Sequence, residues 1–341
     1  MDTALLKTLS ETPGVSGDEA AVRAVLRSAI RSHADEVRVD VLGNLIARKR
    51  SSATLKVMLA AHMDEVGFMI VQIEKSGWLR FRTVGGFDSR ILLSKRVQIG
   101  KDRVPGVIMA KPIHLTRDSE REQVVKVEDM AIDIGASSQE DAKRAVRPGD
   151  FAAFATAFSE HGETVRGQAF DDRAGCAVLV ELLKESYPFD LYAAFTVQEE
   201  IGLRGARVAA YAVDPDVAFA LDGTTADDLP REKGVKPATH LGAGPVITVA
   251  DNQMIADKRL TRLLIDVADR QAIPYQIKPP GVGGTDAGRI HLAHEGVPAT
   301  AVSIPCRYIH SPRAFLAPQD FDHTVALMKA ALMELPGRMR R

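Results

Sequence analysis

Apolar residues along the chain follow two spacings, which together predict an alternation of helices and strands. Recurrence every three or four positions predicts helices over residues 22–30, 173–183, 260–268 and 321–335. Continuous apolar runs, typical of buried strands, cover residues 56–61, 191–197, 216–221 and 298–304. A hairpin-like pair of strands, residues 37–40 and 45–47, precedes the first of these runs. This alternation favours an α/β/α domain built on a mixed sheet.

The segment between Phe68 and Val165 has a different pattern of apolar residues and glycines from the rest of the chain. Its apolar runs are short and β-rich, and glycines such as Gly77, Gly100 and Gly149 interrupt them. Short strands with frequent glycine turns indicate a small β-barrel-like unit. We therefore predict an α/β domain from residues 1–67 and 166–341, interrupted by a β-rich insertion of residues 68–165.

Composition and charge narrow the class of protein. The 341 residues are 45% hydrophobic, and 44 Lys and Arg against 45 Asp and Glu leave a net charge of -1. So balanced a charge gives no electrostatic reason to expect nucleic acid or an anionic membrane as a partner. We find no signal-peptide pattern and no run of about 18 apolar residues that would span a bilayer. The only two cysteines, Cys176 and Cys306, are expected to be free thiols, which predicts a cytoplasmic location.

Polar side chains follow the apolar runs at the point where each predicted strand ends. In open α/β sheets, ligands bind beyond the carboxyl ends of the strands, so these side chains are expected to meet at one edge. An acidic pair, Asp171 and Asp172, opens the helix after the insertion. The strand-end residues are His62 and Asp64 after the first run, Glu199 and Glu200 after the second, Asp222 after the third and His310 after the fourth.

Two histidines and several carboxylates, with no cysteine among them, suit zinc, cobalt or manganese. A two-metal site also needs a carboxylate that bridges ions about 3.5–4 Å apart and an uncoordinated carboxylate to act as a base. Each cluster alone has an ordinary structural explanation: Asp171 and Asp172 can cap a helix, and Glu199 and Glu200 can be an exposed pair. Their joint placement at one sheet edge favours a metal site.

Five motifs in this order resemble the dinuclear glutamyl/leucyl aminopeptidase family, whose best-known members build tetrahedral dodecamers. The resemblance extends from Pro13 to Ser311. The motifs are AHMDEVGF at 61–68, FDDRAGC at 170–176, VQEEIG at 197–202, GGTDAG at 283–288 and PCRYIHS at 305–311.

This resemblance implies a metal-dependent aminopeptidase that removes N-terminal residues from short peptides with two divalent ions per chain. It implies that the insertion mediates assembly, so a homo-oligomer, the family's dodecamer, is expected. The implied roles are Asp171 as the bridging carboxylate, His62 and Glu200 on one ion, Asp222 and His310 on the other, Asp64 orienting His62, and Glu199 as the general base.

Two features of the sequence depart from this pattern or lie outside it. Family members often carry a β-branched residue after the third-strand aspartate, whereas this chain has Gly223, which could loosen the adjacent turn. Thr285 and Asp286 are expected near the site, without an assigned role. Residues that select the substrate lie in loops without a shared motif, so the preferred N-terminal residue stays open.

Three other functions fit parts of the pattern. A carboxypeptidase or N-acyl amidohydrolase on the same scaffold would need a basic residue for a substrate carboxylate, and Arg307 is a candidate for either that role or a structural ion pair. A glycosidase would use two carboxylates and no metal. A metal-binding or assembly protein without catalysis would not need Glu199 as an uncoordinated base.

Overall fold

The computed structural model describes residues 1–230, 237–281 and 283–338. Helices in these ranges are α1 (Thr3–Glu11), α2 (Ala20–Ile30), α3 (Asp118–Arg121), α4 (Gln139–Ala142), α5 (Phe170–Leu183), α6 (Arg204–Val213), α7 (Lys258–Gln271), α8 (Ala287–Ile290) and α9 (Pro318–Arg338). Short 3-10 turns occur at Ser89–Ile91, Ile113–Leu115 and Val127–Asp129.

The strands of the described residues form one large mixed sheet and one closed barrel. Strands of the large sheet and the barrel, in chain order, are β1 (Glu36–Val39), β2 (Leu45–Lys49), β3 (Lys56–His62), β4 (Gly67–Ile73), β5 (Leu79–Val84), β6 (Arg96–Ile99), β7 (Val104–Met109), β8 (Ala131–Asp133), β9 (Phe151–Phe154), β10 (Ser159–His161), β11 (Thr164–Gly167), β12 (Asp190–Thr196), β13 (Val217–Thr225), β14 (Val246–Thr248), β15 (Gln276–Lys278), β16 (Ala299–Arg307) and β17 (Ala314–Leu316).

The centre of the large sheet is parallel. Strands β12, β3, β13 and β16 are consecutive neighbours, and all three pairings between them are parallel. Their carboxyl ends therefore lie at one edge of the sheet. These strands are covered on both faces, which explains why they read as continuous apolar runs rather than as alternating ones. In β3, six of the seven residues are buried.

Helices cover the two faces of the sheet with different kinds of side chain. On one face α1, α2, α5, α7 and α9 form a core of branched and aromatic residues, including Leu26, Val180 and Leu332. On the other face α6 and α8 pack through small residues such as Ala206 and Ala209. Helix α5 is apolar over most of its surface, as expected for a helix buried between a sheet and other helices.

The barrel consists of β4, β5, β8, β7, β6 and β9 in closed order. Its interior is a hydrophobic cluster of aliphatic side chains that also holds aromatic rings around Phe68. The Phe68 ring lies 5.1 Å from Phe81, 5.0 Å from Phe87 and 5.3 Å from Phe154, measured between centroids. Closure of the barrel removes exposed strand edges, and this hydrophobic cluster supplies its core.

The predicted fold class is confirmed: an α/β/α domain with a mixed sheet carries an inserted barrel. The barrel strands extend from Gly67 to Phe154. Two strands in the later part of the predicted insertion, β10 and β11, pair with the large sheet through β17. The predicted segment 68–165 therefore holds both the barrel and a short extension of that sheet. Across the described residues, no helix combines the length and hydropathy that crossing a bilayer requires.

Candidate metal centre

The strand-end side chains meet at the carboxyl edge of the parallel strands. His62 is the last residue of β3 and is 2% exposed, and Asp222 lies within β13 and is 5% exposed. Thr196, the last residue of β12, pairs in register with His62, so Glu199 and Glu200 follow on the same side. The predicted meeting of these residues at one edge is confirmed.

Asp171 lies between the two histidines. Its Oδ1 is 3.1 Å from Nε2 of His62, and its Oδ2 is 3.6 Å from Nε2 of His310. It stands at the start of α5, which packs against β3 and β13 and so carries the residue to the sheet edge. One carboxylate that faces two imidazoles with its two oxygens has the arrangement expected of a bridging metal ligand.

The remaining ligand candidates divide between the two imidazoles. Nε2 of His62 lies 3.7 Å from Oδ1 of Asp222, and Nε2 of His310 lies 3.2 Å from Oε2 of Glu200. The resemblance implied the opposite pairing, with Glu200 beside His62 and Asp222 beside His310. Ligand atoms of His62, Asp171 and Glu200 also lie within 4.8 Å of one another, so Glu200 could share a metal ion with His62 as well. The shortest contacts nevertheless favour His62 with Asp222.

Glu199 faces the same centre from a different direction than its neighbour. Its Oε2 lies 3.9 Å from Nε2 of His62, whereas Glu200 contacts His310. The chain leaves the extended conformation after Thr196: Gln198 has a φ of 56° and Glu200 lies in a turn. The path of this loop sets the different directions of the two glutamates. Glu199 therefore reaches the centre without making the short contacts that Asp171 and Glu200 make.

Asp64 is fully buried and organises this edge of the sheet. Its carboxylate accepts hydrogen bonds from the Ser16 hydroxyl at 2.6 Å and from the backbone amides of Glu199 at 2.9 Å and Glu200 at 3.2 Å. Nδ1 of His62 lies 3.1 Å from the main-chain oxygen of Asp64 and 3.6 Å from its carboxylate. Asp64 thus contacts His62, as the resemblance implied, and also fixes the backbone of the glutamate pair.

Burial and neighbouring charges strongly shift the pKa values of the carboxyl groups in the centre. Burial raises the pKa of Asp222 to about 7. Burial also raises the pKa of Glu199 well above its usual value, and the charge of Asp222 adds to that effect. Burial alone would raise the pKa of Asp171, but the rings of His310 and His62 hold it well below its usual range. So many buried carboxylates require cations, and divalent ions fit the donor set.

Asp172 has a structural task. Its Oδ2 accepts the backbone amide of His62 at 3.0 Å, and its Oδ1 accepts the amide of Gly175 at 2.9 Å. It thereby ties the end of β3 to the first turn of α5. Ligand atoms of Asp172, His62 and Asp222 also lie within 4.8 Å of one another, but the two backbone bonds already engage both oxygens of Asp172.

Asp286, whose role the sequence left open, is buried beside the carboxyl end of β12. It is 3% exposed, its Oδ2 accepts a hydrogen bond from the Thr196 hydroxyl, and burial raises its pKa to about 6. Its charge also acts on Glu199, where burial is the larger cause of the raised pKa. Thr285 is 1% exposed, and its hydroxyl has no hydrogen-bond partner within the described ranges. The sequence predicted Asp286 near the site, and the structure adds that it is a buried acid within electrostatic reach of Glu199.

Gly223 is explained by a close approach of two backbones. A β-carbon at this position would lie 2.9 Å from Cα of Asp171, which is closer than real β-carbons approach other atoms. The absence of a side chain lets the bridging candidate come directly beside β13. The expectation that Gly223 loosens the turn is therefore replaced by a packing reason.

Arg307 is engaged in a structural ion pair. Its Nε and Nη2 donate to the two carboxylate oxygens of Asp228 at 2.7 and 2.8 Å. Both positions of the bidentate fork are used, so Arg307 is not placed to hold a substrate carboxylate.

A buried group of imidazoles and carboxylates at the carboxyl edge of an α/β sheet is typical of metal-dependent hydrolases. The chain belongs to the M42 glutamyl aminopeptidase family, whose model matches residues 43–327. It is 38% identical to the lysyl aminopeptidase of Pyrococcus furiosus over 347 residues, 98% of each chain.

Solved structures agree with this assignment. The TET aminopeptidase of the archaeon Thaumarchaeota archaeon SCGC AB-539-E09 matches with a TM-score of 0.94 and 39% identity, over 97% of this chain and 96% of that one. The Pyrococcus horikoshii TET1 peptidase, which can assemble into a tetrahedron or a large octahedral shell, matches with a TM-score of 0.86 and 36% identity, over 97% and 99%. The predicted metal-dependent aminopeptidase is confirmed, and the carboxypeptidase and amidohydrolase alternatives are not favoured.

Proposed function

We propose that the chain binds two divalent ions, zinc or cobalt, with manganese also compatible with the ligands. Asp171 would bridge them, His62 and Asp222 would complete one site, and Glu200 and His310 would complete the other. The observation that carries this proposal is the position of the Asp171 carboxylate, whose two oxygens lie 3.1 and 3.6 Å from the two imidazoles. The shorter contacts of Asp222 and Glu200 support this division of the ligands.

When bound, the ions supply Lewis-acid polarisation of the scissile carbonyl and bring the pKa of a water molecule toward neutrality. Glu199 takes the proton of the attacking water and returns it to the leaving amine. Asp64 holds the backbone of Glu199 by accepting a hydrogen bond from its amide, and Asp286 lies within electrostatic reach of the Glu199 side chain.

The substrate is proposed to be a short peptide with a free N-terminus. The centre presents several carboxylates to a cavity of about 360 Å³. In the metal-loaded centre, a free α-amino group would bind an exposed ion or pair with a carboxylate, and this contact would place the first peptide bond beside the centre. Removal of single residues from the N-terminus follows from this placement.

Assembly and location are proposed on separate grounds. The barrel contributes none of the proposed ligands, and the Pyrococcus horikoshii relative assembles into closed shells. We infer a dodecamer in which the barrel contacts neighbouring subunits, and light scattering of the purified chain tests it. A monomeric mass would contradict it. The two cysteines are unpaired and buried, which supports a reducing, cytoplasmic location.

Aminoacyl arylamides test the proposed reaction. We expect hydrolysis of free-amine substrates, loss of activity after chelation, and recovery on addition of zinc, cobalt or manganese. N-acetylated arylamides and aryl glycosides are the controls and should not be cleaved. Elemental analysis should give about two ions per chain, the number that a bridging carboxylate requires. Equal cleavage of blocked substrates, or activity that survives chelation, would contradict the proposal.

A further inference from the structure

Lys278 is a buried cation that has no hydrogen-bond or ion-pair partner among the residues that the structure describes. It is the last residue of β15, pairs in register with Thr248 of β14, and is 4% exposed. Among the residues that the structure describes, none forms a hydrogen bond or ion pair with its ammonium group. Lysine is almost never so deeply buried unless it is paired, because removing an ammonium group from water is costly. Such a group is expected to find its partner in a bound ligand.

The ammonium group of Lys278 belongs to the cavity of the metal centre. The cavity of about 360 Å³ is lined by four of the proposed metal ligands and also by Lys278, Asn252 and Gln253; the four ligands are Asp171, Glu200, Asp222 and His310. A β-carbon on Gly283 would lie 3.8 Å from Nζ of Lys278, so this glycine leaves room beside the charge. Burial raises the pKa of Asp222, and the positive charge of Lys278 opposes that shift, which places the two groups within electrostatic reach.

The lining of the cavity carries both signs of charge. Carboxylates of the metal centre line it together with Lys278 and with Arg289, which is exposed. A substrate whose α-amino group lies at the metal centre carries its first side chain into the rest of the cavity. A negatively charged side chain complements that region, and a lysine or arginine side chain is repelled by it.

We propose that Lys278 is the specificity-determining residue of this aminopeptidase and that it binds the side-chain carboxylate of an N-terminal glutamate or aspartate. The proposal rests on the function proposed above. Family membership alone does not decide this preference, because the family model is named for a glutamyl enzyme and the Pyrococcus furiosus relative is a lysyl aminopeptidase.

The test compares kcat/KM for the p-nitroanilides of glutamate, glutamine, leucine and lysine with metal-loaded enzyme. Arylamides have no C-terminal carboxylate, so any effect of a carboxylate comes from the side chain. A charge-assisted contact predicts that the native enzyme prefers glutamate over glutamine by about 10- to 100-fold. Lys278→Met should bring that ratio close to one, and Lys278→Glu should shift the preference toward the lysine substrate. The ratio cancels differences in folded or metal-loaded fraction, because both substrates meet the same preparation.

Lys258→Met is the matched control. Lys258 is exposed at the start of α7 and does not line the cavity, so this variant removes the same charge elsewhere and should keep the native ratio. Lys278→Gln replaces Lys278→Met if the latter does not fold. A native enzyme that cleaves glutamine or leucine substrates as well as glutamate overturns the assignment, as does a Lys278→Met enzyme that retains the preference. If no arylamide is cleaved, the proposed function itself fails and takes this inference with it.

Discussion

The interior of the barrel and the carboxyl edge of the large sheet are equally buried but differ in what they bury. In the barrel, Phe68 contacts three other aromatic rings. At the sheet edge, His62 and Asp64 are 2% and 0% exposed. Burial of aromatic rings lowers the free energy of the folded state, whereas burial of carboxylates raises it unless cations or hydrogen bonds compensate. The barrel interior therefore stabilises the fold, whereas the sheet edge holds buried charges that cost stability and serve the chemistry.

This contrast separates two kinds of mutational effect. Changes at the sheet edge should alter turnover or metal content, because the side chains there act on substrate and ions. Changes in the barrel interior should alter the free energy of unfolding, because its side chains pack in a hydrophobic cluster of their own.

The largest effect on turnover is expected at Glu199. Glu199→Gln keeps the size of the side chain and removes the base, so kcat should fall by about 10²–10⁴-fold, the usual contribution of general acid–base catalysis. Metal content measured by elemental analysis should stay unchanged, since Glu199 makes no contact shorter than 3.9 Å with the imidazoles.

Glu200→Gln is the matched comparison at the adjacent position. Glu200 lies 3.2 Å from His310, so its loss should weaken metal binding, and excess metal should restore part of the activity. Exchanged behaviour of the two variants would mean that their roles are reversed. Full activity and full metal content in both would place the reaction elsewhere.

An intermediate effect is expected at Asp64. Asp64→Asn preserves the shape of the side chain but removes its negative charge. It also replaces one of the two carboxylate oxygens that accept hydrogen bonds from the backbone amides of Glu199 and Glu200. Loss of such a supporting contact typically lowers metal affinity or activity by about 10–100-fold, and titration of kcat against added metal measures both.

Asp190→Asn is the control for this substitution. Asp190 begins β12 at the opposite edge of the sheet, where it pairs with Arg48. We expect it to change stability while kcat per folded, metal-loaded chain stays native. Equal losses of kcat in the two aspartate variants would contradict the claim that Asp64 supports the metal centre.

The smallest effect on turnover is expected in the barrel. Phe68→Ala removes the ring at the centre of the aromatic cluster and should lower the free energy of unfolding by about 3–5 kcal/mol. Denaturant titration measures that loss, and kcat per folded chain should remain native. A large drop in kcat that stability does not explain would show that the barrel also shapes the centre.

Much of the centre was predictable because strand ends are a local signal. Apolar runs separated by helices predict parallel strands, and residues after His62, Thr196 and Leu221 then fall at one edge. The division of ligands was not predictable. Strand β3 lies between β12 and β13, so His62 has neighbours on both sides, and the path of the loop after Thr196 decides which carboxylate contacts which imidazole.

The sequence by itself determined the kinds of elements, the inserted barrel and the edge at which the chemistry lies, because periodicity and turn residues report local backbone geometry. Only the tertiary structure decided the burial of Lys278 and the close approach that requires Gly223. The sequence of a three-residue strand that ends in lysine predicts an exposed side chain, and only the structure shows Lys278 buried beside β14 and Gly283. Burial depends on segments distant in sequence, so no local pattern records it.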